Sequence, residues 1–378
     1  MQPCIIDLFA GVGGLSLGAV RAGFHLALAV ELDKHAAIAH KKNFPRHQHL
    51  VHDIGQLRGQ ELLSFADIES GKLDGLIGGP PCQGFSSIGK RNFHDPRNSL
   101  FVHTFALIAE CKPKFFVIEN VPGILDAQFD DIRRTAFNFV EKDYTLLEPM
   151  KLKASDFGAA TSRERIFFIG YLEDTVKALK PDDFFARKVA HSVTVEEALT
   201  GLPVEILSSW LSEEESWQII QKHSSTSAFH DKIQNHVPKG VGDKTALRRY
   251  KKDNVVSGCF GTRHSPEVQE RYNRLKHGEK DTISKSVRLK PDGLCPTLRA
   301  GTGADKGSFQ AVRPIHPEQP RVITPREAAR LQGFPDWFQF APSKWHSFRQ
   351  IGNSVSPILA EAVFSVIHKH LQTPQKHE

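Results

Sequence analysis

The feature that most constrains the fold is a regular alternation of short apolar runs with helical patterns. The apolar runs lie at residues 4–10, 25–30, 48–51, 73–77 and 115–118, and helical patterns lie at 15–22, 34–43, 99–111 and about 130–142. Parallel strands need a crossover connection, which is usually a helix. The rhythm therefore predicts an α/β fold, with a parallel sheet covered by helices on both faces.

Polar residues stand at or just past the end of each predicted strand. They are Asp7, Glu31, Asp53, Cys82 and Glu119. In open α/β sheets, ligands bind at the carboxyl ends of the strands. We therefore expect these five side chains to meet at one edge of the sheet and to form a binding or catalytic site.

Cys82 lies in the loop GGPPCQGFS, residues 78–86, directly after the fourth predicted strand. Two glycines and two prolines make this loop stiff. A thiol held at the end of a strand is well placed as a nucleophile, because the thiolate is the reactive form and its position controls its reactivity. The alternative is a buried structural cysteine, which is the commoner fate of a free Cys. The acidic ENV stretch at 119–121 favours the nucleophile.

Gly11, Gly13 and Gly14 follow the first predicted strand and precede a helical pattern. Strand, glycine turn and helix together are typical of a nucleotide-binding loop. Position 16 is not glycine, which disfavours a dinucleotide site, and a plain tight turn is the alternative.

Two acids after the second and third strands suit a nucleotide-like ligand. Glu31 can accept hydrogen bonds from two ribose hydroxyls, or it can simply favour the start of the next helix through the helix dipole. Asp53 could bond an adenine amino group while Ile54 packs on the ring.

Arg163 and Arg165 precede an apolar run at 166–171 that reads as a hairpin strand. Alternate residues of a strand point to the same face, so the two arginines share a face. They either contact an anion or a base, or form a surface salt bridge. A later helix is predicted from the Thr324 N-cap to Gln332, and a closing helix follows Pro357.

Composition excludes several protein classes. The chain has 378 residues, of which 40% are hydrophobic, enough for a core in two domains or in one domain with an insertion. Its five cysteines are scattered without a CxxC pair, which disfavours a disulfide framework or a zinc site. No run of 18 apolar residues and no signal peptide is evident. A cytoplasmic protein without a membrane association is expected.

Positive charge is concentrated in one part of the chain. Residues 222–313 contain 19 Lys and Arg against 9 Asp and Glu, whereas the whole chain carries a net charge of +6. A basic segment of this kind suggests a polyanion such as nucleic acid, and an ordinary solvated surface is the alternative. Apolar periodicity is weak over 172–320, which predicts an inserted, loop-rich domain.

These motifs, in this order, resemble the DNA (cytosine-5-)-methyltransferase family of prokaryotic restriction–modification type. The matching stretches are DLFAGVGG at 7–14, GGPPCQGFS at 78–86, ENV at 119–121, RER at 163–165, REAARLQGFPDWF at 326–338 and GNSVSP at 352–357. Together they cover residues 4 to about 171 and 321 to about 371. One departure is Thr161, where many relatives have glutamine, and it leaves open whether position 161 makes a contact.

The resemblance implies a Rossmann-like S-adenosylmethionine-dependent methyltransferase sheet with an inserted small target-recognition domain. Residues 1–171 and 321–378 would form the catalytic domain that binds S-adenosylmethionine, and residues 172–320 would recognise the target. The implied cofactor-binding residues are Asp7, Phe9, Gly11, Gly13, Gly14, Glu31, Leu32, Asp53, Ile54, Pro81, Leu100, Asn353 and Val355.

The resemblance also implies the reaction, which is methylation of carbon 5 of a cytosine in a specific double-stranded DNA sequence. Cys82 would add to carbon 6 of a flipped-out base, Glu119 would bond ring nitrogen 3 and the amino group, and Arg165 would bond the base carbonyl, with Arg163 in support. A monomer that protects host DNA is expected, paired in function with a restriction endonuclease but without a stable complex.

Three other functions remain open from the sequence. An RNA (tRNA) cytosine-5 methyltransferase would share the fold and the thiol chemistry, although the insert of roughly 150 residues favours duplex DNA. A non-catalytic nucleic-acid-binding protein is disfavoured by the intact Cys82, Glu119 and Arg165. A nicotinamide oxidoreductase is disfavoured by the glycine spacing.

Overall fold

The computed structural model describes residues 2–81, 98–207, 216–222, 227–301 and 312–371. Its strands are β1 (Cys4–Leu8), β2 (His25–Val30), β3 (Gln48–Leu50), β4 (Gly75–Gly78), β5 (Phe115–Asn120), β6 (Thr145–Leu146), β7 (Met150–Lys153), β8 (Glu164–Tyr171), β9 (Gln218–Ile219) and β10 (Val255–Val256). The main sheet has the order β3-β2-β1-β4-β5-β8-β6, with β7 also paired to β8. Strands β9 and β10 form a separate antiparallel pair.

Strands β1 to β5 run parallel to one another. Strand β8 runs antiparallel to β5, and β6 and β7 run antiparallel to β8. The predicted α/β class, the parallel sheet and the hairpin strand are therefore confirmed. The register across β5 and β8 places Glu119 opposite Phe167, two residues from Arg165.

The helices are α1 (Gly14–Arg21), α2 (Lys34–Asn43), α3 (Gly59–Phe65), α4 (Asn98–Cys111), α5 (Asp130–Phe137), α6 (Pro181–Phe185), α7 (Val195–Leu199), α8 (Ala228–Gln234), α9 (Lys244–Asp253), α10 (Pro266–Arg274), α11 (Pro325–Leu331), α12 (Lys344–Asn353) and α13 (Pro357–His370). The sequence had predicted α1, α2, α4, α5, α11 and α13. It did not predict α3 or α12, since both are short or polar and their apolar spacing is weak.

The hydrophobic core has two parts, one on each face of the sheet. Helices α1 and α13 pack on one face, where Phe24 and Phe364 are buried. Helix α4 packs on the other face with Phe101 and Phe105. Helices α1 and α13 approach each other so closely that a Cβ added at Gly18 would lie 2.3 Å from the Ala360 Cβ. The sheet is thus covered on both faces, as a buried parallel sheet requires.

The predicted insert contains the short helices α6 to α10 and the β9–β10 pair, so it has more regular structure than expected. Several of its buried residues, including Val195, Phe229 and Leu298, belong to the same hydrophobic cluster as α1 and α13. Helices of five to ten residues bury few side chains each, which explains why their periodicity was weak in the sequence. The boundary at residues 172 and 320 stays a prediction.

The stretch Lys344–His370 is long and apolar enough to cross a bilayer, but 78% of its most apolar part is buried inside the protein. It consists of α12 and α13, which are interrupted between Ser354 and Ser356. Burial on this scale is what core helices show.

Candidate active site

A cavity of about 560 Å³ lies at the carboxyl ends of β1, β2, β4 and β5. It brings together most of the predicted site residues. These are Phe9, Gly11, Gly14, Glu31, Leu32, Asp53, Ile54, Pro81, Leu100, Glu119, Arg163, Arg165, Asn353 and Val355. A second cavity of about 490 Å³, beside α13, is lined by none of them.

Gly11 and Gly14 of the glycine turn line the cavity, and Glu31 stabilises the turn by hydrogen bonds. One carboxylate oxygen of Glu31 accepts the Gly11 N–H at 2.8 Å, and the other accepts the Asp33 N–H at 2.7 Å. Gly11 has a φ of 55°, and Phe9 also has a positive φ, of 57°. A non-glycine residue in this region is sterically costly and typically occurs at functional sites.

The segment between α12 and α13 packs against the glycine turn. A Cβ added at Gly14 would lie 2.3 Å from the Val355 carbonyl oxygen. Only glycine allows the backbone between α12 and α13 to come this close to the start of α1. Asn353 and Val355 thereby reach the same cavity as the residues of β1.

Burial determines the electrostatics of Glu31. It raises the pKa of the Glu31 carboxyl, while the backbone N–H groups of Asp33 and Gly11 oppose that shift. Each carboxylate oxygen has a second lone pair. After bonding the turn, Glu31 can therefore still accept hydrogen bonds from a ligand in the cavity.

Asp53 and Ile54 line the opposite end of the cavity. Asp53 caps a short 3-10 turn by accepting the Gly55 N–H at 2.9 Å, and Ile54 is buried. Leu100, from α4, lines the same cavity. This end is apolar with one carboxylate, which suits an aromatic ring that carries a hydrogen-bond donor.

Glu119 and Arg165 form a buried ion pair in the cavity wall. The Arg165 Nε lies 2.6 Å from a Glu119 carboxylate oxygen, and the two side chains are only 11% and 10% exposed. Arg163 is also buried and donates to the Leu298 carbonyl oxygen at 3.1 Å. The surface salt bridge that the sequence left open is therefore not what these arginines form.

Burial raises the pKa of Glu119, and the positive charges of Arg165 and Arg163 partly offset that effect. A carboxyl group in this environment keeps its proton at a higher pH than a solvated one.

Cys82 lies outside the described residues. The two residues before it, Pro80 and Pro81, line the cavity. The Pro80 carbonyl oxygen accepts a hydrogen bond from the Asn120 side chain at 3.3 Å. A Cβ added at Gly79 would lie 3.0 Å from a Glu119 carboxylate oxygen. The start of the cysteine loop is thus packed against the end of β5.

Two predicted cofactor residues, Asp7 and Gly13, do not line the cavity. Asp7 is fully buried and accepts a hydrogen bond from Ser16 on α1 at 2.5 Å. Gly13 faces away from the cavity, since a Cβ there would lie 2.5 Å from the Phe44 ring and 3.1 Å from His40. Asp7 and the side of Gly13 that a Cβ would occupy therefore face α1 and α2, not the cavity.

The cavity also contains residues that the sequence analysis missed. The centroids of the His35 and His346 rings lie 4.0 Å apart with the rings tilted by 38°, and Arg349 lies 3.5 Å from Asp33. These contacts join α2 to α12 at the cavity wall. Ser343, which accepts the His346 N–H as the N-cap of α12, was the signal that could have revealed this helix.

A loop of the insert runs beside the arginines. The Cys295 N–H donates to the Ala160 carbonyl oxygen at 2.9 Å, and the Cys295 carbonyl oxygen accepts the Ser162 N–H at 2.9 Å. Thr161 donates to the same carbonyl through its hydroxyl. The sequence places this loop only within the loop-rich insert, because nothing local shows what such a loop packs against.

Comparison with known proteins gives consistent results. The sequence pattern that defines the C-5 cytosine-specific DNA methylase family matches residues 4–369. The type II methyltransferase M.XorII of Xanthomonas oryzae pv. oryzae is 38% identical over 99% of this chain and 87% of its own length. The type II methyltransferase M.DdeI of Desulfomicrobium norvegicum is 34% identical over 95% of this chain and 87% of its own length.

Two solved structures resemble the fold. One, assigned as a DNA modification methyltransferase encoded within an E. coli prophage, superimposes with a TM-score of 0.88 at 48% identity, covering 98% of this chain and 99% of that one. The S. pombe Dnmt2 methyltransferase superimposes with a TM-score of 0.61 at 17% identity, covering 97% and 99% of the two chains. At 17% identity the second likeness concerns the fold alone.

Proposed function

The chain belongs to the C-5 cytosine-specific DNA methylase family and is a DNA cytosine-5 methyltransferase, and on that premise we propose which residues perform the reaction. The observation that carries the proposal is the buried Glu119–Arg165 pair, which shares one cavity with the glycine turn and Glu31. A group that recognises a base and a site that suits a nucleotide-like cofactor thus face the same space.

Cys82 is the proposed nucleophile. Carbon 5 of cytosine is too weak a nucleophile to accept a methyl group directly. The Cys82 thiolate forms a bond to carbon 6, and the displaced ring electrons make carbon 5 nucleophilic, so one hard step becomes two easier ones. The position of Pro80 and Pro81 in the cavity wall supports this role.

Glu119 is proposed to stabilise the ring during that addition. Because burial raises its pKa, its carboxyl can donate a proton or a hydrogen bond to ring nitrogen 3 and accept one from the amino group. Arg165 orients this carboxyl and bonds the base carbonyl, while Arg163 holds the neighbouring backbone at Leu298. After the methyl group has been transferred to carbon 5, the carbon 5 proton is lost to water, the carbon 5–carbon 6 double bond re-forms and Cys82 leaves as a thiolate.

S-adenosylmethionine, when bound, supplies the methyl group. The family and the fold imply a reaction that depends on this cofactor, and the cavity residues fit it. We assign the ribose to Glu31 and the adenine to Asp53, Ile54 and Leu100. The backbone of the glycine turn would approach the cofactor closely, and Asn353 and Val355 would line the opposite wall.

The substrate is proposed to be a specific sequence in double-stranded DNA. A base inside a duplex cannot reach this cavity, so it must be flipped out at a cost of roughly a few kcal/mol. The relatives named above are DNA methyltransferases of type II systems, which favours DNA over tRNA. We further propose a cytoplasmic monomer that protects host DNA from an endonuclease with which it forms no stable complex.

A methyl-transfer assay tests the proposal. Tritium from labelled S-adenosylmethionine should appear in duplex DNA and not in tRNA. Bisulfite sequencing of DNA from cells that express the protein should then reveal methylated cytosines within one recurring sequence. Label in tRNA with none in DNA would overturn the assignment.

A further inference from the structure

A chain of hydrogen bonds runs from the surface to a buried carboxylate under the glycine turn. Ser16 bonds Asp7 at 2.5 Å, the His40 Nε2 lies 3.0 Å from the Ser16 hydroxyl, and the His40 Nδ1 lies 2.9 Å from the His49 Nε2. Asp7, Ser16 and His40 are buried, and His49 is partly exposed. The cofactor contacts proposed above do not use this chain.

When both histidines are neutral, the hydrogen bonds can all run toward an ionised Asp7. His49 donates to His40, His40 donates to Ser16 through Nε2–H, and Ser16 donates to Asp7. Burial lowers the pKa of His49 to about 4 and lowers the pKa of His40 well below its usual value, so both rings are neutral near pH 7. Every donor then points toward Asp7, which favours its ionised form.

Asp7 lies directly below the cofactor cavity. Its partners in the sheet are Ala29 and Ile77, two residues before the cavity-lining Glu31 and Gly79. Two residues of strand correspond to about 7 Å. Its second carboxylate oxygen is buried and has no hydrogen-bond partner among the residues that the structure describes. An ionised carboxylate that is buried and only partly hydrogen-bonded attracts a positive charge in the cavity at this distance.

We propose that the ionised Asp7, held by Ser16, His40 and His49, makes the cavity select the cationic methyl donor over its neutral product, S-adenosylhomocysteine. This inference rests on the proposed cofactor site. The two ligands differ by the transferred methyl group and hence by the positive charge on sulfur. Asp7 is therefore a specificity-determining residue that acts through charge, without a place in the cavity lining.

The pH dependence has a definite sign. Burial raises the pKa of Asp7 to about 7, and the charge of Glu31 adds to that effect. Below this pH Asp7 is neutral, and above it Asp7 is ionised and attracts the sulfonium. Affinity for the donor should therefore rise with pH, while affinity for the product changes less. The other titratable groups near the chain are Glu31, His40, His47, His49 and Lys41.

Calorimetric titration of the whole protein with each ligand tests the proposal. Between about pH 6 and about pH 8, the ratio of donor affinity to product affinity should rise by about threefold to about tenfold, because the ionised fraction of a group with a pKa of about 7 rises about tenfold over that range. Asp7→Asn should abolish the rise. Ser16→Ala should move it to higher pH, because the ionised carboxylate loses its donor.

His25→Gln is the matched control, since His25 is an exposed histidine near His47 but outside the chain. It should behave like the unmodified protein. A ratio that stays flat with pH in the unmodified protein, or a rise that persists in Asp7→Asn, overturns the inference. If Asp7→Asn does not fold, the Ser16→Ala shift decides. Failure of both ligands to bind the unmodified protein would instead refute the proposed cofactor site.

Discussion

At the scale of single residues, the reaction requires a nucleophile that four other cysteines cannot replace. Cys111, Cys259 and Cys295 are buried, and burial raises the thiol pKa of Cys111 and Cys259 to about 12 and that of Cys295 as well. The Cys4 thiol, at the start of β1, donates a hydrogen bond to the Lys72 carbonyl oxygen. These thiols are poor sources of thiolate at neutral pH. Cys82 therefore remains the candidate.

DNA with 5-fluorocytosine at the target should trap the protein covalently, because fluorine cannot leave as the carbon 5 proton does. We expect the adduct to survive denaturation and to map to Cys82 by mass spectrometry. Cys82→Ser should lose both methylation and trapping yet keep its fold, because a hydroxyl is a far weaker nucleophile. Cys111→Ser, the control, should still be trapped. An adduct on another cysteine would falsify this mechanism.

Glu31→Ala should weaken S-adenosylmethionine binding and leave DNA binding nearly intact. Each lost hydrogen bond to the carboxylate costs about 1.5–3 kcal/mol at most. The structure adds a second effect, because Glu31 also holds the N–H groups of Gly11 and Asp33. Calorimetry should therefore show at least about a tenfold loss in affinity. The exposed Glu141→Ala is the control, and an unchanged cofactor affinity in Glu31→Ala would remove Glu31 from the site.

At the scale of secondary-structure elements, the contact between α1 and α13 joins the two ends of the chain. Both helices start at the cavity, and Gly14 and Gly18 let them approach closely. The packing of α13 therefore positions Val355 and Asn353 over the glycine turn. Stability of this helix pair and geometry of the cofactor cavity should change together.

Gly18→Ala tests this coupling. Alanine is favoured over glycine in a helix by about 1 kcal/mol, but its Cβ would lie 2.3 Å from the Ala360 Cβ and 2.6 Å from the Glu361 nitrogen. Overpacking against backbone typically costs about 1–3 kcal/mol, so we expect a net loss of stability in urea unfolding. Ser64→Ala, on the exposed face of α3, is the control for helix propensity alone. A more stable Gly18→Ala protein would contradict the proposed packing.

At the scale of the whole molecule, the basic segment 222–313 contacts the catalytic part of the protein in two separate places. Its residues near Gly242 bond Asn43, at the end of α2 that is remote from the cavity. Its residues near Leu298 bond Arg163 in the cavity wall. Phosphate contacts that hold a flipped base should come from the second group, which includes the exposed Arg299.

Arg299→Ala should therefore weaken DNA binding, whereas Lys239→Ala, at the remote edge, should not. DNA affinity should fall steeply with salt, and loss of one phosphate contact should reduce the slope of log affinity against log salt by about 0.9. Fluorescence anisotropy at several salt concentrations measures both slopes. Equal effects of the two substitutions, or a flat salt response, would count against this division of the segment.

The sequence by itself determined the sheet and most of its binding edge. Strand patterns and turn residues are local, and parallel strands all end at the same edge, so the sequence alone assigns Glu31, Asp53 and Glu119 to one site. The glycine turn was also readable from its spacing. The cysteine loop was readable too, although Cys82 itself lies outside the described residues.

Only the tertiary structure decided what depends on contacts between distant parts of the chain. The Asp7 side chain does not line the cavity, because its carboxylate accepts a hydrogen bond from Ser16 on α1. The Val355 backbone packs against Gly14, and the Cys295 carbonyl oxygen accepts a hydrogen bond from Thr161. Such pairings leave no periodic pattern in the sequence, since their energy comes from packing and hydrogen bonds that exist only once both partners have folded.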